Sequence, residues 1–331
     1  MSTRHAAFAA AVSLGWSTAA FADHPSVGFA GGGAGPIATI PATTLPQGAT
    51  AIGLWVEYVK SKRLSDEELQ SRAARGIDAH STDYLFSPSL IAAYGVTDDF
   101  TLGMKLPYVD RANIREADEA GNVNNRGDSA GIGDLTLLGR YRFVNGRDHQ
   151  AAALFGIKAP TGKTGRVDRQ GERFETEHQP GSGSWDSIVG FALTRRFGQA
   201  SSIDASVLYT IATKGAQDTR LGDRASYNLA VSSRLGGERD HRHGDSSAGH
   251  SHSTWDAVLE LNGDWEGKQK VGGVTDSESG GNVVYLSPGL RFASSSQWSA
   301  YFSFGVPIIQ HIRLSHPERD YRVITGIGWT L

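Results

Sequence analysis

The chain has 331 residues, with 32 Lys and Arg against 35 Asp and Glu, and no Cys. This near-neutral balance excludes the basic surface typical of a nucleic-acid binder, so no nucleic acid is expected as a partner. The lack of Cys excludes disulfide frameworks, thiolate zinc centres, iron–sulfur clusters and a lipid-modified cysteine anchor. Seven Trp, 10 Tyr and 13 Phe are too many aromatics for a disordered chain.

Residues 1–22 begin with a basic pair, Arg4 and His5, continue through the apolar stretch Ala6 to Ala20, and end Ala20-Phe21-Ala22. This is the pattern of an export signal, cleaved near Ala22. Beyond it no apolar run reaches about 18 residues, so no transmembrane helix is expected. Residues 23–49 carry Gly31-Gly32-Gly33-Ala34-Gly35-Pro36 and no clear strand. That segment is too irregular to cross lipid. It either trails in the periplasm or folds inside a barrel as a plug.

From residue 50 onward the sequence alternates with period two. Phe100, Leu102, Met104, Leu106 and Tyr108 share one face, and Thr101, Gly103 and Lys105 the other. Trp255, Ala257, Leu259 and Leu261 oppose Asp256, Glu260, Asn262 and Asp264. Such alternation is that of strands with one apolar and one polar face. Twelve strands follow, near 50–60, 83–95, 100–110, 132–143, 150–160, 185–197, 202–212, 224–235, 255–266, 282–292, 298–308 and 321–331. At roughly 11 residues each they match the 9–11 needed to cross a bilayer at a tilt.

The connections alternate as well. Short turns such as Thr97-Asp98-Asp99 and Asn145-Gly146-Arg147 take turns with long polar stretches at 61–82, 111–131, 161–184, 213–223, 267–281 and 309–320. This is the pattern of an outer-membrane β-barrel with short periplasmic turns, long external loops and, for an even strand count, both termini periplasmic. A soluble exported β-sandwich would also alternate, but with shorter strands and no alternation in loop length. The expected fold is therefore all-β: an antiparallel transmembrane β-barrel spanning residues 50–331, in the outer membrane of a Gram-negative bacterium. Aromatic residues near strand ends, among them Trp55, Tyr58, Tyr84, Trp255, Phe292, Trp298 and Trp329, read as interfacial girdles against outer-membrane lipid.

Twelve strands about 4.8 Å apart and tilted about 40° close to a backbone diameter of roughly 24 Å. Such a pore suits a small-molecule solute and no folded protein. The expected lumen-lining residues carry both signs: Glu57, Lys105, Asp134, Arg140, Arg142, Lys158, Asp204, Asp256, Glu260, Asp264 and Arg291. Mixed signs read either as a salt-bridged interior or as a polar constriction that orients a solute.

Four imidazoles, His241, His243, His250 and His252, fall in the connection 236–254, on the periplasmic side by strand parity. They are a candidate divalent-metal site or a docking point for a periplasmic partner. A plain flexible connection is the alternative reading. No other cofactor is indicated. Ser65-Asp66-Glu67-Glu68 has capping-box spacing and predicts a short helix over 66–75. Gly156 to Thr164 approaches a phosphate-binding loop but has Ile157 where the first Gly is required. His311 and His316 lie in the last external loop with no evident partner. No catalytic constellation is legible, so no enzyme activity is expected.

Several stretches in order carry a family resemblance: Gly35 to Ile40 with Thr44 to Gly48, Ser87 to Leu90 with Tyr94 to Thr97, Gly133-Asp134-Leu135, and Tyr141-Arg142-Phe143. Further along come Ala159 to Gly162, Gly181 to Asp186, Leu286 to Phe292, and Gly305-Val306-Pro307 with Gln310. The chain resembles the outer-membrane family named for the MetA pathway of phenol degradation. The resemblance implies a β-barrel transporter for small molecules, aromatic or otherwise hydrophobic among them. It supplies no binding residues. The His tract is not part of the family pattern and raises the metal-linked alternative.

Overall fold

The computed structural model describes residues 35–118, 120–198, 200–235, 253–294 and 297–331. The export signal at 1–22, residues 23–34 and all four histidines of the tract lie outside the described residues. Twelve long strands form the wall: β1 (Thr50–Ser61), β2 (Tyr84–Thr97), β3 (Phe100–Ala117), β4 (Leu135–Asn145), β5 (His149–Ala159) and β6 (Asp186–Phe197). The second half is β7 (Ser201–Ile211), β8 (Arg224–Leu235), β9 (Thr254–Glu266), β10 (Gly281–Ala293), β11 (Trp298–Ile312) and β12 (Arg319–Thr330). Each pairs antiparallel with its sequence neighbours, and β12 pairs back onto β1 from Trp329 opposite Ile52 to Tyr321 opposite Lys60. The result is a closed twelve-stranded antiparallel barrel. Closure pairs the backbone groups of the wall and leaves no strand edge facing lipid.

Side-chain alternation assigns the two faces. In β6, Ile188, Ala192 and Thr194 are buried, while Val189, Phe191 and Leu193 are exposed. In β8, Leu229 and Val231 are exposed on either side of the buried Ala230. The outer face is therefore a continuous apolar surface, far larger than a water-soluble protein tolerates. It is the lipid-facing belt of a membrane barrel. Aromatics cluster at both rims. Trp255, Phe292 and Trp298 pack in sequence with ring centroids 5.0 and 5.1 Å apart near the short-turn end. Tyr84, Tyr58 and Tyr321 do the same at 5.3 and 6.0 Å near the long-loop end. No helix of the described residues is long and apolar enough to cross a membrane.

Two sequence expectations are corrected. Trp55, assigned above to a girdle, is fully buried on the inner face, where its ring meets Tyr301 at 5.7 Å. Its odd position in β1 decides this, because Glu57 and Val59 share the inner face with it. The polar stretch 111–131 is not a loop. β3 runs on to Ala117 and the chain returns as a ribbon strand, Val123–Ile132, paired from Ala117 opposite Val123 to Tyr108 opposite Ile132. After a jog at Gly133-Asp134 the same pairing resumes as β4, with Thr136 opposite Lys105. The residues of this ribbon are polar because it stands beyond the lipid, where alternation no longer has an apolar side.

The long connections build a cap over one end. It contains helix α1 (Asp66–Ala73), opened by the expected capping box of Ser65 and Glu68. It also holds a three-stranded sheet of short strands at 219–220, 270–271 and 274–275. The loop 160–185 covers the free edge of the ribbon strand, with the Lys163 and Arg169 N–H groups donating to the Ile132 and Arg126 carbonyls.

Candidate functional site

Residues 35–45 enter the barrel and cross its interior as a strap. Pro36, Pro41 and Pro46 punctuate it. A proline every fifth residue prevents this segment from adding a strand, because each lacks an N–H and fixes φ. Its remaining backbone groups must then be satisfied by side chains, and the wall supplies them. The N–H groups of Ile37, Ala38 and Thr39 all donate to the Glu260 carboxylate of β9, at 3.0 to 3.1 Å. The Arg291 guanidinium of β10 donates to the Pro36 carbonyl at 2.5 Å. The Ile40 N–H donates to Ser206 of β7, and the Ala42 N–H to Thr194 of β6. Arg140 of β4 donates to the Pro41 carbonyl, and the Leu45 N–H reaches Thr101 of β3. The strap thus spans from β10 to β3, one wall to the other. It leaves the lumen beside the β2–β3 turn, where the Gly48 N–H donates to the Gly95 carbonyl and the Gly95 N–H donates to the Ala49 carbonyl.

Apolar side chains seat the strap as firmly. Ile37 packs among Trp55, Val258, Tyr301 and Ile324. Ile40 and Ala42 pack on Leu138, Leu154, Ile188 and Leu208. Ile37, Ile40 and Ala42 are at most 1% exposed. Two spaces flank the strap. At the short-turn end lies a vestibule of about 670 Å³ lined by Pro36, Pro41, Arg196, Asp204 and Asp256 among others. On the long-loop side lies a cavity of about 70 Å³ bounded by Lys105, Asp134, Lys158, Asp186 and Arg224 among others.

The expected lumen residues occupy the inner face in distinct groups. Glu260, Arg291 and Arg140 hold the strap, as above. Asp204 accepts from Thr194, itself a strap acceptor, and from Ser202. Glu57, Asp264 and Arg322 form a charged group in which Arg322 lies 3.1 Å from Asp264 and 3.9 Å from Glu57, over the ring of Tyr285. Lys105 stands over the Trp55 ring at 5.3 Å. Asp256 faces Arg234 at 3.5 Å in the vestibule. Arg142 sits at the rim, bound to Asp99 in the β2–β3 turn.

Asp134 and Lys158 do more than line the wall. Asp134 accepts from the Gly162 N–H and from both the N–H and hydroxyl of Ser182, while Lys158 pairs with Asp186 at 2.6 Å and donates to Ser182. Together they fasten the loop 160–185 down into the barrel mouth. The residues that sequence reading missed are Thr101, Thr194 and Ser206. Small hydroxyls are frequent on the inner face, and only the strap's path distinguishes these three. His316 also departs from expectation. It is buried in the cap, with Nε2 3.9 Å from the Glu177 carboxylate.

The family model described as "Putative MetA-pathway of phenol degradation" matches residues 79–308. Among solved structures, the COG4313 outer membrane channel from Pseudomonas putida F1 is similar at TM-score 0.59 and 16% identity, over 88% of this chain and 98% of that one. The NanC porin is similar at TM-score 0.43 and 8% identity, over 86% and 100%. The CymD monoaromatic hydrocarbon channel gives TM-score 0.39 and 12% identity, over 86% and 88%. Only the first of these is close enough to speak to the fold, which is shared. No curated protein matches the sequence. With more than half of the chain matched by the family model and its lipid-facing belt closed into twelve strands, this chain belongs to the MetA-pathway-of-phenol-degradation family of outer-membrane β-barrels.

Proposed function

We propose that this barrel is an outer-membrane channel for small solutes, apolar or aromatic ones among them, moving down their gradient, and that the strap 35–45 controls the passage. The observation that carries this reading is the strap's course between the 670 Å³ vestibule and the 70 Å³ cavity. In this conformation the strap stands across the path, and solute passes when it shifts. The apolar patch that seats Ile40, formed by Leu138, Leu154, Ile188 and Leu208, supports a preference for solutes with an apolar face. A strap in the place of that solute would shield the patch from water until the solute arrives. The short turns and both chain ends are read as periplasmic, so the strap is reached from that side.

The test is single-channel conductance in planar bilayers of the mature protein beside a variant lacking residues 23–45. Heat-modifiable migration checks that both are folded. The expected result is a several-fold larger conductance without the strap. Equal conductance would overturn control by the strap. Two folded barrels with no conductance and no uptake of a small phenolic solute into vesicles would overturn the channel itself.

A further inference from the structure

Four side chains in the cap converge in a way the barrel and strap do not require. His80 lies in the two-residue strand His80–Ser81, which pairs with the end of β3. Glu175 caps, and Glu177 and His178 lie in, a single 3₁₀ turn at Thr176–His178 of the loop 160–185. The two segments are almost a hundred residues apart in sequence. Yet one donor atom from each of His80, Glu175, Glu177 and His178 lies within 4.8 Å of every other. His80 Nε2 is 3.5 Å from Glu175 and 3.9 Å from Glu177. His178 Nε2 is 3.6 Å from Glu177. The two imidazoles meet edge to face at 4.5 Å.

His178 makes the arrangement informative. Its side chain is 3% exposed, and neither ring nitrogen has a hydrogen-bond partner among the described residues. The second Glu177 oxygen, Oε2, is likewise buried and unpartnered. Buried polar atoms in native proteins are satisfied, and each exception calls for a cause. An imidazole with both nitrogens orphaned is destabilising when nothing binds it.

We infer that His80, Glu175, Glu177 and His178 form a binding site for a first-row divalent cation of the zinc class. Two imidazoles and two carboxylates are a tetrahedral donor set suited to such an ion. Bonds of about 2.0–2.1 Å place tetrahedral donors roughly 3.4 Å apart, close to the 3.5, 3.6 and 3.9 Å found here. Calcium fits poorly, because it takes six to eight oxygen ligands. A supporting shell is in place. Glu116 stands 3.4 Å from His80 Nδ1, the nitrogen turned away from Glu175 and Glu177, which is how a carboxylate orients a ligating imidazole, while Asp78 lies 3.3 Å from Nε2 on the side of the site itself. The cation would join the loop after β1 to the loop after β5, fixing the shape of the barrel mouth. Cation binding there needs no open pore, so its test stands apart from that of solute passage.

The test begins with full mature protein carrying His241→Ala, His243→Ala, His250→Ala and His252→Ala, so that tract binding is removed. Chelator-stripped barrel is titrated with Zn²⁺ by calorimetry and with Co²⁺ by visible absorption. The expected result is one site per chain and an intense tetrahedral cobalt spectrum. His178→Gln should weaken zinc binding at least about a hundredfold, with heat-modifiable migration retained. Should that variant fail to fold, Glu175→Gln at a half-exposed position gives the same readout. Absence of zinc binding and of a tetrahedral cobalt spectrum in the tract variant would overturn the site. So would binding left unchanged by both substitutions.

Discussion

Both oxygens of the Glu260 carboxylate accept from one backbone N–H, that of Ala38, at 3.1 and 3.0 Å. The flanking N–H groups of Ile37 and Thr39 complete a three-donor cradle around an inner-wall carboxylate. Hydrogen bonds to a charged acceptor contribute about 1.5–3 kcal/mol each, and they are stronger away from water. This is the point at which the wall holds the strap.

Replacing Glu260 therefore tests the strap's attachment directly. Glu260→Ala leaves three buried donors without an acceptor, at about 1–3 kcal/mol apiece. Conductance should rise several-fold, and residues 35–45 should become sensitive to protease. Glu260→Gln keeps one acceptor oxygen without the charge and should fall between. Conductance equal to that of the parent in both variants would mean that the remaining hydrogen bonds and apolar contacts hold the strap without Glu260.

The exit of the strap depends on a glycine. A Cβ at Gly95 would sit 1.9 Å from the Pro46 carbonyl oxygen, far inside contact distance. Gly95→Ala must displace residues 46–49, at a cost of about 1–3 kcal/mol. The expected outcome is a lower midpoint in urea, measured by heat-modifiable migration, together with noisier single-channel current.

Asp134 holds the loop 160–185 through Gly162 and Ser182. Asp134→Ala should open that loop to limited proteolysis between residues 161 and 184, while the barrel strands stay resistant. Its loss leaves the Ser182 N–H buried and unpaired, costing about 1–3 kcal/mol. A cleavage pattern identical to the parent would show that Lys158 and Asp186 suffice.

The outer belt makes a separate prediction. Val231 is 47% exposed on the lipid face of β8. Val231→Arg should destabilise the barrel in vesicles by about 2–4 kcal/mol if the site lies near the bilayer midplane. Its refolding yield, read on gels, should fall. By contrast, Ser65→Ala removes the cap of α1 in the loop after β1 and should cost about 1 kcal/mol locally with conductance unchanged.

The wall was legible in the sequence because lipid imposes a strict rule on it. Val189, Phe191 and Leu193 must be apolar, and their inner neighbours need not be. That contrast gives period two and places strand ends within a few residues. Where the rule lapses, legibility lapses too. The ribbon Val123–Ile132 stands above the lipid, so its two faces are both polar and it reads as a loop. Trp55 failed for the opposite reason. An aromatic near a strand end suits a girdle as well as a lumen, and only its register in β1, shared with Glu57, separates the two.

Local alternation is enough to specify twelve barrel strands, an apolar outer face and a charged inner face. What those inner charges bind becomes visible once the chain is folded. Glu260 binds backbone N–H groups more than two hundred residues away, and Asp134 fastens a loop. Likewise His80 meets His178 only after β3 has carried one loop to the other. Such partners are set by where closure brings strands and loops together. A barrel joins residues around its circumference irrespective of their separation along the chain, and no spacing along the sequence records it.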